Sequence, residues 1–262
     1  MDVKEPKAVV FFDLDGTLLN KQSEVDAEII ETIQKLKENN VLPVICTGRS
    51  LVEITEIANK TGIDTIISLN GQHIVLNGEV IYNHPINKDV VEQLVEFAKQ
   101  NGDELSFYSP DAIRVSSDKK IVHECYGLIH APIPPIDAEY YKGKDIQMML
   151  VIREADYLDD AYRNEFPMLE FYRNGAKAMD VITRGQSKGT GLQFLMQYLN
   201  LNQVPTYAFG DGTNDFAMFA AVDYPIAMGN AVEALKEQAI YITTNNDDHG
   251  IVNGLEHFKL LG

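Results

Sequence analysis

Two aspartates two residues apart, Asp13 and Asp15, stand behind the apolar run Ala8-Val9-Val10-Phe11-Phe12 and ahead of Gly16-Thr17. Carboxylates this close repel strongly unless a cation or a proton intervenes. The same residues also suit a solvated turn, since Asp and Gly cluster in turns for local reasons. Three distant stretches carry complementary groups: Thr47-Gly48-Arg49, Lys188, and Gly210-Asp211-Gly212-Thr213-Asn214-Asp215. Together they offer acidic groups from two stretches, a hydroxyl with turn amides, and one lysine. Hard oxygen ligands suit Mg²⁺, which binds through a few carboxylates, waters and a substrate phosphate. A lysine and helix-start amides suit the phosphate itself. The chemistry this set implies is phosphoryl transfer, where positioning and charge neutralisation supply most of the catalysis.

These groups need elements to bring them together. The run at 8–12 is short and rich in β-branched and aromatic residues, so it reads as a buried strand that Gly16 and Thr17 end. A helix is expected over about 24–38, with Ile29, Ile33 and Leu36 on one face, then strands at 41–46 and 65–69 around a helix at 50–60. Ser50 and Glu53 have the spacing of a capping box for that helix. Strand, helix, strand with short connections is the pattern of a parallel, doubly wound sheet. Asn77-Gly78 between Ile74-Val75-Leu76 and Val80-Ile81-Tyr82 then marks a tight hairpin. From about 84 to 182 strand-like pieces follow one another with helices expected only near 87–100 and 154–165, which suggests an inserted antiparallel α+β unit. Alternation returns with a helix opening at Ser187-Lys188-Gly189, a strand at 205–209, a helix near 216–221, a strand at 224–228, a helix at 231–238, a strand at 240–243 and a helix from Ile251. The expected fold is α/β: a doubly wound, mostly parallel, Rossmann-like core formed by 1–83 and 183–262, with the insertion at 84–182 over its crevice. Each chemical stretch lies where a core strand ends or a core helix begins, and such positions converge on one side of the sheet.

Composition narrows the partners. A net charge of −17 argues against nucleic acid or an anionic membrane surface. Two cysteines, Cys46 and Cys125, are too few for a disulfide framework, and no apolar stretch approaches the ~20 residues that span a bilayer. The N-terminus has no signal-peptide pattern, so a cytoplasmic protein is expected.

At this point the four stretches resemble the four motifs of the haloacid dehalogenase (HAD) superfamily, in order and across essentially the whole chain. The arrangement is similar to Cof-type phosphatases with a large α/β cap between the second and third motifs, class IIB-like. The resemblance implies a Mg²⁺-dependent hydrolase of small phosphate monoesters, such as sugar phosphates or phosphorylated cofactors. It implies Asp13 as nucleophile, forming an aspartyl-phosphate, and Asp15 as general acid, then base. It further implies a metal set of Asp13, the Asp15 carbonyl and Asp211, supported by Asp215, and phosphoryl contacts from the Leu14 amide, Thr47, Gly48, Lys188 and Asn214. The partner implied is a small phosphorylated metabolite; the oligomeric state is not legible.

Each residue also has an ordinary role open to it. Lys188 could be a surface lysine at a helix start, Thr47 a turn cap, Asp215 a helix cap, and Arg49 the partner of a structural carboxylate. Cys46 reads as a core residue, the six histidines show no metal-ligand spacing, and Asn245-Asn246-Asp247-Asp248 reads as a solvated loop. In the insertion, Tyr108, Arg114, Arg173, Asn174 and Lys177 are polar candidates for substrate contact, with 173–175 equally suited to an exposed hairpin turn. Two other functions fit the same residues: a phosphomutase, and a signalling or binding module in which a phospho-aspartate persists.

Overall fold

Ala8–Phe12 forms β1, and all five residues are buried, as an apolar strand with neighbours on both sides must be. A computed structural model of the chain describes residues 5–128, 131–154, 158–173 and 175–262. Two residues singled out in the sequence, His130 and Asn174, lie outside the described residues. The chain forms two compact units, one of residues up to Arg49 with Glu53–Tyr82 and Ser187–Gly262, the other of Asn83–Gln186 with Ser50–Val52.

In the first unit β1 leads through a wide turn, Leu14–Leu18, to α1 (Ala27–Glu38) and β2 (Val41–Cys46), then by α2 (Leu51–Thr61) to β3 (Thr65–Ser68). Ile29, Ile33 and Leu36 of α1 are buried, the face expected from their spacing. β4 (His73–Leu76) and β5 (Glu79–Asn83) form the hairpin, and Asn77 and Gly78 take φ of 51° and 81° as a two-residue turn of this hand requires.

The second unit follows with α3 (Lys88–Asn101), β6 (Glu104–Tyr108), β7 (Ile113–Val115), α4 (Lys120–Leu128) and α5 (Tyr140–Gly143). It continues through β8 (Met148–Ile152), α6 (Leu158–Glu165), β9 (Leu169–Tyr172) and β10 (Ala178–Thr183). Its strands lie in the order β7-β6-β8-β10-β9, with antiparallel pairing throughout. Leu105, Phe107, Met149, Val151, Met179 and Val181 alternate onto one face and share a buried core with Val91 and Leu94 of α3 and Tyr162 of α6. The α4 helix was not expected. Its buried residues Val122, Cys125 and Tyr126 do have helical spacing, but the helix is only nine residues long and includes Gly127.

The chain then returns to the first unit through α7 (Lys188–Tyr198), β11 (Thr206–Gly210), α8 (Phe216–Phe219), β12 (Tyr224–Ala227), α9 (Glu233–Lys236), β13 (Tyr241–Ile242) and α10 (Gly250–His257). The sheet order is β13-β12-β11-β1-β2-β3-β4-β5, parallel from β13 to β3 and antiparallel at β4. The strand order therefore reverses at β1 and β11, the place where open α/β sheets hold ligands beyond the carboxyl ends of their strands. Pro43 is tolerated inside β2 because the ladder to β3 begins only at Ile45, two residues later. Helix α9 is shorter than the expected 231–238 because its first residues do other work: the Ala231 amide binds the Met228 carbonyl and the Val232 amide binds the carbonyl of Asp211.

Helix α7 packs closely on its neighbours. A Cβ at Gly189 would collide with the carbonyl oxygen of Ala217 on α8. Gly189→Ala is expected to destabilise the protein by about 1–3 kcal/mol through overpacking, read as a lower midpoint in urea denaturation. An unchanged midpoint would contradict this packing.

Candidate active site

Where β1 ends, the amide of Asp13 binds the carbonyl of Phe209 on β11 at 3.0 Å, so the first aspartate is held beside the strand that leads to Asp211. Lys188 opens α7, capped by Ser187, whose Oγ accepts the Thr190 amide at 3.1 Å while Thr190 Oγ1 accepts the Ser187 amide at 2.9 Å. This is no surface lysine: its side chain is fully buried, and Nζ donates to Asp13 Oδ1 at 2.5 Å and to Asp215 Oδ1 at 2.7 Å. The other Asp215 oxygen, Oδ2, accepts the amides of Asp211 and Gly212, both at 2.9 Å. Asp215 thus clamps the loop that carries Asp211, with both of its oxygens hydrogen-bonded.

The turn after Asp13 is closed by the Leu19 amide on the Leu14 carbonyl at 2.9 Å, with Gly16 at φ 74°. A side chain at Gly16 would collide with the Asp211 carboxylate, so the glycine serves both the backbone and the close approach. Thr17 Oγ1 donates to Asp211 Oδ1 at 2.9 Å. Asp15 points elsewhere: Arg49 grips both its oxygens, through Nε at 2.8 Å and through Nη2. The carboxylate that Arg49 pairs with is therefore the expected acid–base group itself.

Oxygens of Asp13, Asp211 and Asp215 lie within 4.8 Å of one another, and the carboxylate of Asp15 is not in that group. Burial raises the Asp13 carboxyl well above its ordinary value; Lys188 opposes this, while Asp215, Asp211 and Asp15 add to it. Asp211 is pushed up to about 6 by burial and by Asp215, against the pull of Thr17 and Lys188. Lys188 is held above its ordinary value: burial opposes its charge, and Asp13 and Asp215 outweigh burial. Three ionised carboxylates against one ammonium leave two negative charges over, which is the charge of one divalent cation. The donors are all hard oxygens, so the residues fit such an ion.

Three of the expected phosphoryl-binding residues, Thr47, Gly48 and Asn214, fall into a second cluster around Asn70, whereas Lys188 belongs to the first. Thr47 is buried, with its Oγ1 accepting the Arg49 amide at 3.1 Å and its carbonyl accepting the Asn70 amide at 3.0 Å. Asn70 Oδ1 in turn accepts from Asn214 Nδ2 at 3.1 Å, and a Cβ at Gly48 would touch the Asn70 amide. Leu14 is buried in the turn next to Asp13. Asn70 was not singled out in the sequence, where it directly follows the strand expected at 65–69. Its signal is an asparagine at positive φ, 53°, with a buried side chain. Cys46 is buried, and burial raises its thiol, so it is a core residue beside the site.

The described polar candidates of the second unit, Tyr108, Arg114, Arg173 and Lys177, are occupied within it. Arg173 grips Asp159 through Nε at 2.5 Å and Nη2 at 2.7 Å, in a network where Arg153 joins Asp159 to Asp103. Lys177 pairs with Glu124 at 2.9 Å and with Glu154, Tyr108 meets the Tyr126 hydroxyl at 3.3 Å, and Arg114 lies over the Tyr140 ring. Arg173 is therefore a structural residue in its hairpin.

Asp211 carries a testable consequence. Its raised folded value, about 6 against the ordinary 3.8, means that the folded chain without metal binds this proton more tightly than the unfolded chain. The stability it contributes is complete below about pH 4 and is lost as pH rises through about 6. In the presence of a chelator, the parent protein should lose denaturation midpoint relative to Asp211→Asn between those two pH values. Parallel pH profiles of the two proteins would contradict the site's electrostatics.

Comparison with known proteins identifies the family. The profile of the haloacid dehalogenase-like hydrolases matches residues 10–255. YkrA of Bacillus subtilis (strain 168) is 32% identical over 254 residues, covering 97% of this chain and 98% of its own. YwtE of the same organism, a 5-amino-6-(5-phospho-D-ribitylamino)uracil phosphatase, is 25% identical over 92% of this chain and 94% of its own. Among solved structures, a HAD subclass IIB sugar phosphatase superposes with a TM-score of 0.85 at 26% identity, covering 96% of this chain and 99% of that one. With a profile match over nearly its whole length, the chain belongs to the haloacid dehalogenase-like hydrolases and is a Cof-type phosphatase of the HAD superfamily.

Proposed function

We propose that the protein hydrolyses phosphate monoesters of small polyhydroxylated metabolites, with Mg²⁺ as cofactor and Asp13 as nucleophile. The observation that carries this reading is the charge imbalance at Asp13, Asp211 and Asp215, which one lysine only partly offsets. Asp13, the Asp15 carbonyl and Asp211 would hold the ion, and Asp215 would support it by fixing the Asp211 loop. When bound, Mg²⁺ supplies the positive charge that lets a phosphate dianion approach these carboxylates.

The residues then have separate tasks. The Leu14 amide, Thr47, Gly48, Lys188 and Asn214 hold the phosphoryl oxygens. Lys188 fixes Oδ1 of Asp13, so Oδ2 is assigned to attack on phosphorus. As the Asp13 oxygen bonds to phosphorus, the ester bond breaks, its electron pair leaves with the ester oxygen, and Asp15 gives that oxygen a proton. In the second half, Asp15 takes a proton from water, whose oxygen attacks phosphorus and displaces Asp13, releasing inorganic phosphate. An acid–base group of this kind adds ~10²–10⁴-fold in rate. The unit formed by Asn83–Gln186 is assigned to substrate choice.

Substrate class rests on the relatives. A phosphate ester of a ribityl compound is the named substrate of YwtE, and sugar phosphates are those of the subclass IIB structure. A panel of sugar and polyol phosphates, scored by inorganic phosphate release with Mg²⁺ or with chelator, tests the reading directly. Turnover is expected only with the ion and only on small monoesters. Asp13→Asn is expected to remove it, and near-normal turnover by that variant would sink the assignment.

The Asp15–Arg49 pair adds a sharper test. Both Asp15→Asn and Arg49→Gln should slow alkyl phosphates more than p-nitrophenyl phosphate, whose leaving group needs no proton. Loss of a hydrogen bond to a charged group, about 1.5–3 kcal/mol, corresponds to roughly 10–100-fold for Arg49→Gln on alkyl esters. The double variant should be little slower than Asp15→Asn alone, because the arginine acts through the aspartate. Independent, multiplying losses would mean that Arg49 acts elsewhere.

A further inference from the structure

Two asparagines outside the four motif stretches hold the turn that carries Asp15. Asn230 Nδ2 donates to the carbonyl of Gly16 at 2.7 Å. Its Oδ1 accepts the amide of Asn246 at 3.0 Å, and Asn246 Nδ2 donates to the carbonyl of Leu19 at 2.7 Å. A carboxamide can donate and accept at once, and Asn230 uses both ends. From this geometry we propose that Asn230, braced by Asn246, is a positioning residue that orients the turn for cation binding. The proposal rests on the cation reading given above.

Gly16 sits at the centre of the turn Leu14–Leu18. A glycine at φ 74° gives the turn its close approach to Asp211, but it also leaves the backbone with little intrinsic preference. Something must choose one conformation. Thr17 ties the turn to Asp211 at one point, through its hydroxyl. Asn230 ties it at another, by fixing the peptide that follows Gly16 and hence the rotation of the chain between that peptide and the Asp15 carbonyl. The asparagine is itself held in register with the metal-side loop. Two residues later the Val232 amide binds the Asp211 carbonyl at 3.0 Å, and just before it the Gly229 amide binds the Thr244 carbonyl at 3.0 Å. One short segment, 229–232, therefore grips the main chain of both carboxylate-bearing stretches. Asn246, in the stretch read from sequence as a solvated loop, links this segment to the far end of the turn.

A purely structural role is a poor account of these bonds. The turn is already closed by the Leu18 amide on the Asp13 carbonyl at 3.2 Å and by the Leu19 amide on the Leu14 carbonyl. Asn230 is exposed, so it contributes little burial. What it adds is orientation of a peptide next to an assigned ligand, and groups that orient ligands commonly matter by 10–100-fold in metal affinity.

The test is the Mg²⁺ dependence of the melting temperature, with calorimetric Mg²⁺ titration below melting as a second readout. For Asn230→Ala and the isosteric Asn230→Asp, which loses the donor, the metal-free melting temperature should change little. The Mg²⁺ concentration for half-maximal stabilisation should rise roughly 10–100-fold. Asn253→Ala, which removes a comparable exposed bond from Asn253 Nδ2 to Thr244 Oγ1 at 2.8 Å, should leave that concentration unchanged. Wild-type Mg²⁺ dependence in both Asn230 variants overturns the clasp and leaves the cation reading standing, as does an equal shift in Asn253→Ala. A parent protein whose melting and calorimetry ignore Mg²⁺ overturns the cation reading, and the clasp with it.

Discussion

The Lys188 ammonium, shared between Asp13 and Asp215 and closed off from solvent, is the interaction on which the first unit's carboxylate cluster depends. A charge buried to this degree must be paired, and removing one partner of such a set costs about 3–5 kcal/mol. The local structure serves that requirement. Ser187 and Thr190 cap the helix so that it starts at the lysine, and Gly71 and Gly189 let its first turn approach neighbouring backbone where a Cβ would collide. Because Asp215 also binds two amides of the Asp211 loop, the lysine indirectly sets the position of a third carboxylate.

The central sheet makes this possible. β1 and β11 are adjacent and parallel, with Phe12 opposite Phe209 and their rings stacked at 5.4 Å. The residue after β1 is Asp13 and the residue after β11 is Asp211, so strand register alone places two carboxylate stretches side by side. Strand order diverges at this pair, leaving no crossover connection to cover the space beyond them.

The second unit has its own buried core and its own charge network. Asp103, Arg153, Asp159 and Arg173 satisfy one another, with Tyr162 donating to Asp103 at 2.7 Å. An arginine in a hairpin between two strands looks available to a ligand when read from sequence. Here it is engaged by Asp159, a carboxylate fourteen positions upstream on α6, so the contact depends on how that helix and the hairpin come together.

Much of this was legible in the chain itself. Apolar runs marked the strands, Asn77-Gly78 marked the hairpin, and four polar stretches at element ends marked the site, because period, turn chemistry and burial are local properties of sequence. The short helices α4 and α9 were not legible in extent, since four to nine residues carry too little periodicity to separate helix from loop. Nor were the partners. Whether Lys188 is a surface lysine or a buried ammonium, whether Arg49 holds Asp15 or another carboxylate, and why Asn70 and Asn230 matter are questions of which distant groups meet. By itself the sequence determined the family, the alternating architecture and the residue types of the Asp13–Thr17 site. The tertiary structure alone decided the pairings, because hydrogen bonds and charge balance depend on distances of about 3 Å between residues up to 227 positions apart.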